Sequence, residues 1–280
     1  EMSLLTSRAS LSGVQPKLAI TERAGRYYPT PANELSTHIA KFPSSGHPDL
    51  LHNEYLSTLA LKKLLPDDVV VEVFISQVEG QSEEALLIKR FDRRKREADS
   101  TIERIHFEEF TQLLNYRSST KYEGTYKEMS DFIRQTPGCL PIENYKLFGR
   151  ILAGLLLGNT DMHLKNFAMI HTPVGLRLSP SYDEVASSLY KYKTIALGIG
   201  ETHNLDILRL KPKHMKALAT DFGFNEDILD MMVSQLGKNK SAAQQAIYDA
   251  TVGTLTLKKK IITAMDKRWN GTFALIGQNS

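Results

Sequence analysis

The 280-residue sequence predicts an α+β protein of two lobes, a small β-rich lobe over residues 1–93 and a larger helical lobe over residues 94–280. Two observations carry this. Up to Asp92 the chain reads as short strand-like runs broken by turn formers, whereas beyond Ile105 apolar residues recur at helical spacing. The composition, 41% hydrophobic and 24% charged, suits a large buried core and excludes a disordered chain.

Taken in order, "KLAITE" and "RYYPT" flank Ala24-Gly25, a hairpin turn. "STHIAKFP" is a short strand stopped by Pro43. "NEYLSTLALKKLL" places Tyr55, Leu56, Leu59, Ala60 and Leu64 at helical spacing and ends at Pro66. "VVVEVFISQVEG" and "EALLIKRFD" are two strands about a turn near Gly80, and a linker is expected near residues 89–97. Helical patterns follow in "FEEFTQLLN", "YKEMSDFIRQ", "ENYKLFGRILAGLLLGN", "KPKHMKALATDFG", "EDILDMMVSQL" and one long run, "KSAAQQAIYDATVGTLTLKKKIITAMDKRW". Strand-like pieces, "FAMIH" and "LRLSP", interrupt them. There is no internal repeat.

The bulk numbers narrow the function classes. A net charge of +3 is too small to indicate nucleic-acid binding, and none is expected. The charge run "KRFDRRKRE" holds one aromatic and mixed signs, so it reads as a solvated linker rather than a nucleic-acid patch. The longest uncharged apolar stretch, residues 151–160, is too short to cross a bilayer, and the first residues lack a secretory h-region. With a single cysteine, Cys139, to which no chemistry is assigned, the expectation is a soluble cytoplasmic protein. Phe107, Phe110 and Leu113 read as core positions.

The stretch "GNTDMHLKNFAM" carries the chemistry. Phosphoryl transfer from ATP needs a lysine on the phosphates, metal ligands, and a carboxylate at the attacking hydroxyl. Kinase loops space the carboxylate and a metal-binding amide as D-x-x-x-x-N, which Asp161 and Asn166 match. Asp183 follows seventeen residues later, after two short strands able to return it to the loop. Taken singly, each of these is an ordinary turn residue or cap; the joint spacing favours a site. Lys41 ends the strand "THIAK", and Glu54 on the next helix is placed to hold its ammonium. Neither a G-x-G-x-x-G loop nor a Walker A motif is present, and "SLSGVQPK" occupies the phosphate-loop position.

The pieces "SGVQPK", "THIAKFP", "NEY", "KRFDR", "IHFEEF", "KYEG", "TDMHLKNF" and "SPSYD" occur in the order seen in the HipA-like serine/threonine kinase toxins, and the chain resembles that family. Because it begins almost at the phosphate loop, it looks closest to the short HipT form of tripartite HipBST-type toxin–antitoxin systems. The resemblance implies a protein-kinase-like fold that uses ATP and Mg2+. It implies Asp161 as catalytic residue, Asn166 and Asp183 as metal ligands, and Lys41 as the ATP lysine, braced by Glu54. It further places Ser12, Gly13, Val14, Gln15, Pro16 and Lys17 in the phosphate loop, and His163, Leu164, Lys165 and Tyr182 along the nucleotide. Lys89, Arg90 and Phe91 match the hinge, where backbone groups meet adenine; the side chain at Lys89 is often acidic in relatives. His163 and Lys165 are equally well read as braces of the loop. Ser10 and Ser12 match autophosphorylation positions, where added phosphate would repel nucleotide and switch the enzyme off.

The substrate so implied is an aminoacyl-tRNA synthetase, tryptophan-tRNA ligase before glutamate-tRNA ligase, with translation inhibited. The implied partners are a DNA-binding HipB-like antitoxin and a small HipS-like protein. A small-molecule or lipid kinase is the alternative, since "DMHLKN" also fits their D-x-H-x-x-N loop. A pseudokinase is a third reading, disfavoured because every catalytic position is filled.

Overall fold

The computed structural model describes residues 15–44, 46–47, 49–96 and 101–276. β1 (Lys17–Arg23) and β2 (Arg26–Pro29) form the expected hairpin. Ala24 (φ 50°) and Gly25 (φ 76°) are both left-handed, the turn geometry that follows the natural twist of paired strands. β3 (His38–Lys41) is followed by α1 (Leu50–Leu64), then by β4 (Val73–Gln77) and β5 (Glu84–Lys89). The five strands make one antiparallel sheet in the order β2-β1-β3-β5-β4.

Register decides which way the lysines point. Lys17 lies opposite Lys41, and Lys41 opposite Leu86. Side chains alternate along a strand, so Leu18, Ile20, Ala40 and Leu87 pack together on one face with Val78 and Ala85. Lys17 and Lys41 share the other face with Leu86 and Ile88, which meets Leu51 of α1 and Tyr182 from the helical part. α1 is buried along most of its length: Glu54 meets the sheet's lysine, while Leu56, Ala60, Leu61 and Leu64 join the large core of the helical part.

β6 (Arg93–Lys95) pairs with β7 (Ile102–Arg104) as a separate two-stranded ladder. The expected linker is therefore less solvated than its charges suggest. Arg90 and Arg93 keep only 12% and 10% of their side chains exposed, and both bond to Asp92, at 2.8 Å from Arg90 Nε and 2.6 Å from Arg93 Nη1.

β8 (Phe107–Glu109) corrects the helix expected over "FEEFTQLLN". Phe107 and Glu109 pair with Ile170 and Ala168, and only the four residues of α2 (Phe110–Leu113) are helical. Cross-strand pairing overrides a helix-compatible pattern this short. Of the three positions read as core there, Phe110 is fully buried, whereas Phe107 and Leu113 are half-buried.

α3 (Tyr126–Gln135) starts at a capping box between Thr125 and Glu128. α4 (Pro141–Leu157) begins with proline at its first turn and is buried at almost every position after Leu147. β9 (Ala168–Thr172) and β10 (Gly175–Leu178) complete a sheet in the order β10-β9-β8. α5 (Pro212–Asp221), α6 (Glu226–Asp249) and α7 (Leu255–Gly271) close the helical part. The long run read as one helix is two. Gly253 takes φ 80° and Thr254 caps α7 by accepting from the Leu257 N–H, while "EDILDMMVSQL" runs without a break through "KSAAQQAIYD" as the single helix α6. Among the described residues no helix is long and apolar enough to cross a membrane.

Candidate active site

The site begins where α4 ends. Gly158 (φ 88°) reverses the chain, and the Arg268 guanidinium of α7 binds the last carbonyls of α4, Leu156 and Leu157, each at 2.7 Å. A Cβ at Gly158 would lie 2.6 Å from that guanidinium, so glycine serves here both the left-handed turn and the close approach. The helix end is thereby held firmly, and the loop that follows starts from a fixed point.

Buried Asn159 organises what comes next. Its Oδ1 accepts from the Asp161 N–H at 3.0 Å, and its Nδ2 donates to the Asp183 carbonyl at 3.4 Å. One amide therefore spans the two segments that carry the acids. Nothing in the sequence marks Asn159 apart from its place two residues before Asp161. The carbonyl of Asp161 accepts from His163 N–H (2.8 Å) and from Asn166 Nδ2 (3.0 Å), closing a tight loop that leaves the Asn166 Oδ1 turned away from this bond. The Asp161 side chain is 52% exposed, and its Oδ1 accepts from the Tyr122 hydroxyl at 2.8 Å.

Asp183 sits at φ 58°, in the left-handed region, which aims its carboxylate back toward the small lobe. There it contacts the Lys41 ammonium, which also donates to Glu54 Oε1 at 2.6 Å. Burial opposes the charge on Lys41, but Asp183 and Glu54 outweigh it and hold its pKa above the usual lysine value. Burial likewise pushes the Asp183 carboxyl up, yet Lys41 and Lys17 prevail and hold it near 2. The Glu54 carboxyl, wholly enclosed, is pushed up by burial. Lys17 lies in the same field, its pKa lowered by burial and by Lys41.

His163 Nε2 is 2.7 Å from Lys121 Nζ, and the imidazole is buried, which with the lysine charge lowers its pKa to about 4. A neutral ring accepting at Nε2 carries its proton at Nδ1, an atom that is buried and, among the described residues, has no partner. Lys165 is enclosed between Ser118 Oγ (3.2 Å) and Glu109 Oε2 (3.7 Å), and its carbonyl accepts from the Tyr182 hydroxyl at 2.9 Å. Leu164 is fully buried in the core, so only its backbone faces the loop. Tyr122 and Lys121 come from "KYEG", a stretch whose residue types alone mark neither contact.

At the hinge, the Phe91 ring stacks on Tyr182 (5.5 Å between centroids, 27°) and meets Phe107 edge-on at 5.1 Å. The Lys89 and Arg90 N–H groups donate to the Glu72 and Thr37 carbonyls, so neither is left to donate to a base. The Lys89 side chain is exposed on Glu72, at 3.0 Å, away from the acids. Gln15 and Pro16 tie the phosphate-loop segment to the end of β3: Gln15 Nε2 donates to the Phe42 carbonyl, and the Phe42 N–H to the Pro16 carbonyl. Ser10, Ser12, Gly13 and Val14 lie outside the described residues.

Behind Asp183 lies Glu184, buried and, among the described residues, with no partner for Oε1. Burial, reinforced by Asp183 and Glu54, raises its carboxyl to about 8. A pKa raised on folding favours the protonated acid, so its contribution to stability is full below the unfolded value and is lost as pH rises toward the folded value. Glu184→Gln is therefore expected to be near neutral at pH 5 and stabilising by about 2–4 kcal/mol at pH 9, read by urea unfolding at the two pH values. Equal effects at both would show that this carboxyl is already ionised when folded.

The candidate ligands are hard oxygens, those of the Asn166 amide and the Asp183 carboxylate. That set fits Mg2+. A small antiparallel lobe whose buried lysine meets an acid of a helical lobe, facing an Asp-x-x-x-x-Asn loop, defines a bilobal, protein-kinase-like scaffold. The chain belongs to the HipA-like C-terminal domain family, whose description residues 9–246 match. It is 31% identical over 256 residues to the serine/threonine-protein kinase toxin HipA of Shewanella oneidensis, covering 86% of this chain and 57% of that protein. The chain spans about half the length of the curated relatives it matches, between 43% and 64%. Among solved structures, a chain from the Shewanella oneidensis complex of HipA, HipB and operator DNA aligns with TM-score 0.82 at 22% identity, over 96% of this chain and 67% of that one. The Helicobacter pylori proinflammatory kinase CtkA aligns with TM-score 0.65 at 12% identity, over 93% and 92%. Both likenesses concern the fold.

Proposed function

We propose that this chain is an ATP-dependent serine/threonine protein kinase and the toxin of a bacterial toxin–antitoxin system. The observation that carries the reading is the convergence of Lys41, Glu54 and Asp183 beside a loop that exposes the Asp161 carboxylate. Asp161 would hold a serine hydroxyl and take its proton as the oxygen attacks the γ-phosphorus and the bond to ADP breaks. Lys41 would pair with phosphate oxygens, and Asn166 with Asp183 would hold Mg2+, which supplies neutralisation of phosphate charge. His163, neutral beside Lys121, braces the loop from behind; Tyr122 orients the Asp161 carboxylate.

The substrate proposed is an aminoacyl-tRNA synthetase, tryptophan-tRNA ligase before glutamate-tRNA ligase, and the partners a HipB-like antitoxin and a HipS-like small protein. The relative named as a kinase toxin supports the toxin role, and the fold likeness to a HipA–HipB complex supports the first partner. Autophosphorylation at Ser10 and Ser12 is proposed as the off switch. Labelling a lysate with γ-labelled ATP and the purified protein tests the reading. One dominant phosphoprotein, identified as a synthetase and absent with Asp161→Asn, is expected. Labelling of a small hydroxylated metabolite instead of protein would return the small-molecule kinase. Intact-mass spectra should show phosphate on the kinase itself, lost in Ser10→Ala/Ser12→Ala protein.

A further inference from the structure

The strand pair β8–β9 carries a second cluster on the face turned away from the hinge. His106, the residue before β8, and Glu108 are two residues apart, and the His171 N–H bond to the His106 carbonyl extends the pairing, so both side chains leave the same face. Phe107 between them points to the opposite face, where its ring meets Phe91. His171 of β9 lies across from His106, its N–H donating to the His106 carbonyl at 3.0 Å. Three side chains from two hydrogen-bonded strands thus gather over one patch of sheet.

Their ligand atoms are close. His171 Nε2 is 2.9 Å from Glu108 Oε2, and His106 Nε2 is 3.8 Å from the same oxygen. The two imidazole centroids are 4.5 Å apart, and one ligand atom from each residue falls within 4.8 Å of the others. A tetrahedral zinc with bonds near 2 Å needs its ligand atoms roughly 3.3 Å apart. Rotation of exposed side chains is enough to reach that spacing, because His106 and His171 keep 69% and 45% of their side chains open. The backbone that sets the spacing is held by the ladder and need not move.

We propose that His106, Glu108 and His171 form a binding site for a divalent d-block cation of the zinc type. Two imidazoles and one carboxylate are the donor set that favours Zn2+, Ni2+ or Cu2+ over Mg2+ or Ca2+, which prefer oxygen alone. The single carboxylate leaves the filled site with one net positive charge, and the exposed side leaves a fourth position to water or to a donor from another molecule. Bound metal would staple β8 to β9 by side chains as well as by backbone. The site lies apart from Asp161, Asn166 and Asp183, and it holds whatever reaction those residues perform.

Calorimetric titration of untagged protein with ZnCl2 tests the proposal, in an Asp183→Asn background so that the acids of the cleft do not compete. Binding of one equivalent is expected, weakened at least 10-fold by His106→Ala and by His171→Ala, and absent from the double variant. MgCl2 should neither bind there nor displace zinc. With CoCl2 the intact cluster should give a visible d–d absorption that both single variants lose. Zinc binding left unchanged by the double variant, or no binding to the parent protein, would overturn the assignment. Because these variants replace exposed residues, far-UV circular dichroism identical to the parent's is expected, and the Glu108→Gln protein provides an independent loss of affinity in a near-isosteric change.

Discussion

Asp161→Asn protein is expected to bind nucleotide as the parent does and to lose phosphoryl transfer by about 10³–10⁴-fold, the range that removal of a positioned base and its charge produces. The separation of the two effects comes from the geometry. Asp161 is half exposed, and among the described residues its carboxylate meets the Tyr122 hydroxyl and a distant His163 Nε2 at 4.0 Å, not Lys41. An asparagine retains an oxygen for Tyr122, and the loop itself is held by bonds from the His163 N–H and the Asn166 side-chain amide to the Asp161 carbonyl, which the substitution keeps. Only the proton acceptor is lost. Single-turnover transfer measured beside nucleotide binding by fluorescence tests this. Full transfer in the variant would remove Asp161 from the reaction, and loss of binding together with transfer would give it a structural role instead.

How much of this was legible in the sequence depended on distance along the chain. The hairpin at Ala24-Gly25, the strand ending at Lys41 and the helix bearing Glu54 follow from local period and turn chemistry, and all three form as expected. The segment from Phe107 to Glu109 does not, because its state is set by pairing with residues 168–170, which no local pattern encodes. The acids stood out as candidates by spacing, Lys41 as the end of its strand, and their roles by resemblance; what folding adds is the Lys41–Asp183 contact, made by register and by a left-handed residue. The supports were not visible. Asn159 bonding two loops, Tyr122 on Asp161 and Arg268 on the end of α4 are single long-range contacts made by common residue types. The charge run after Lys89 is solvated only in part for the same reason: Asp92 bonds to Arg90 and Arg93 only once the chain has folded them onto it, while Arg94 and Arg96 stay exposed.

Lys41→Met is expected to abolish transfer and, by itself, to destabilise the fold by about 3–5 kcal/mol, the cost of leaving a buried carboxylate without its cation. Lys41 and Glu54 keep 7% and 2% of their side chains exposed, so water cannot replace the missing charge. Asp183, a third exposed toward the cleft, can be solvated; Glu54 cannot. The burden therefore falls on Glu54, and the second substitution follows from it. Lys41→Met/Glu54→Gln removes both charges, leaves an amide in place of the carboxylate, and should recover more than half of the lost stability without recovering any activity. In the parent, Glu54→Gln alone keeps the Asp183 contact of Lys41 and should slow transfer less than Lys41→Met does. Urea unfolding and single-turnover transfer on the three proteins decide the matter. If the double variant is no more stable than Lys41→Met, the two side chains do not form the energetic pair that their 2.6 Å separation describes. If it regains transfer, Lys41 holds the lobes together and does not act on phosphate.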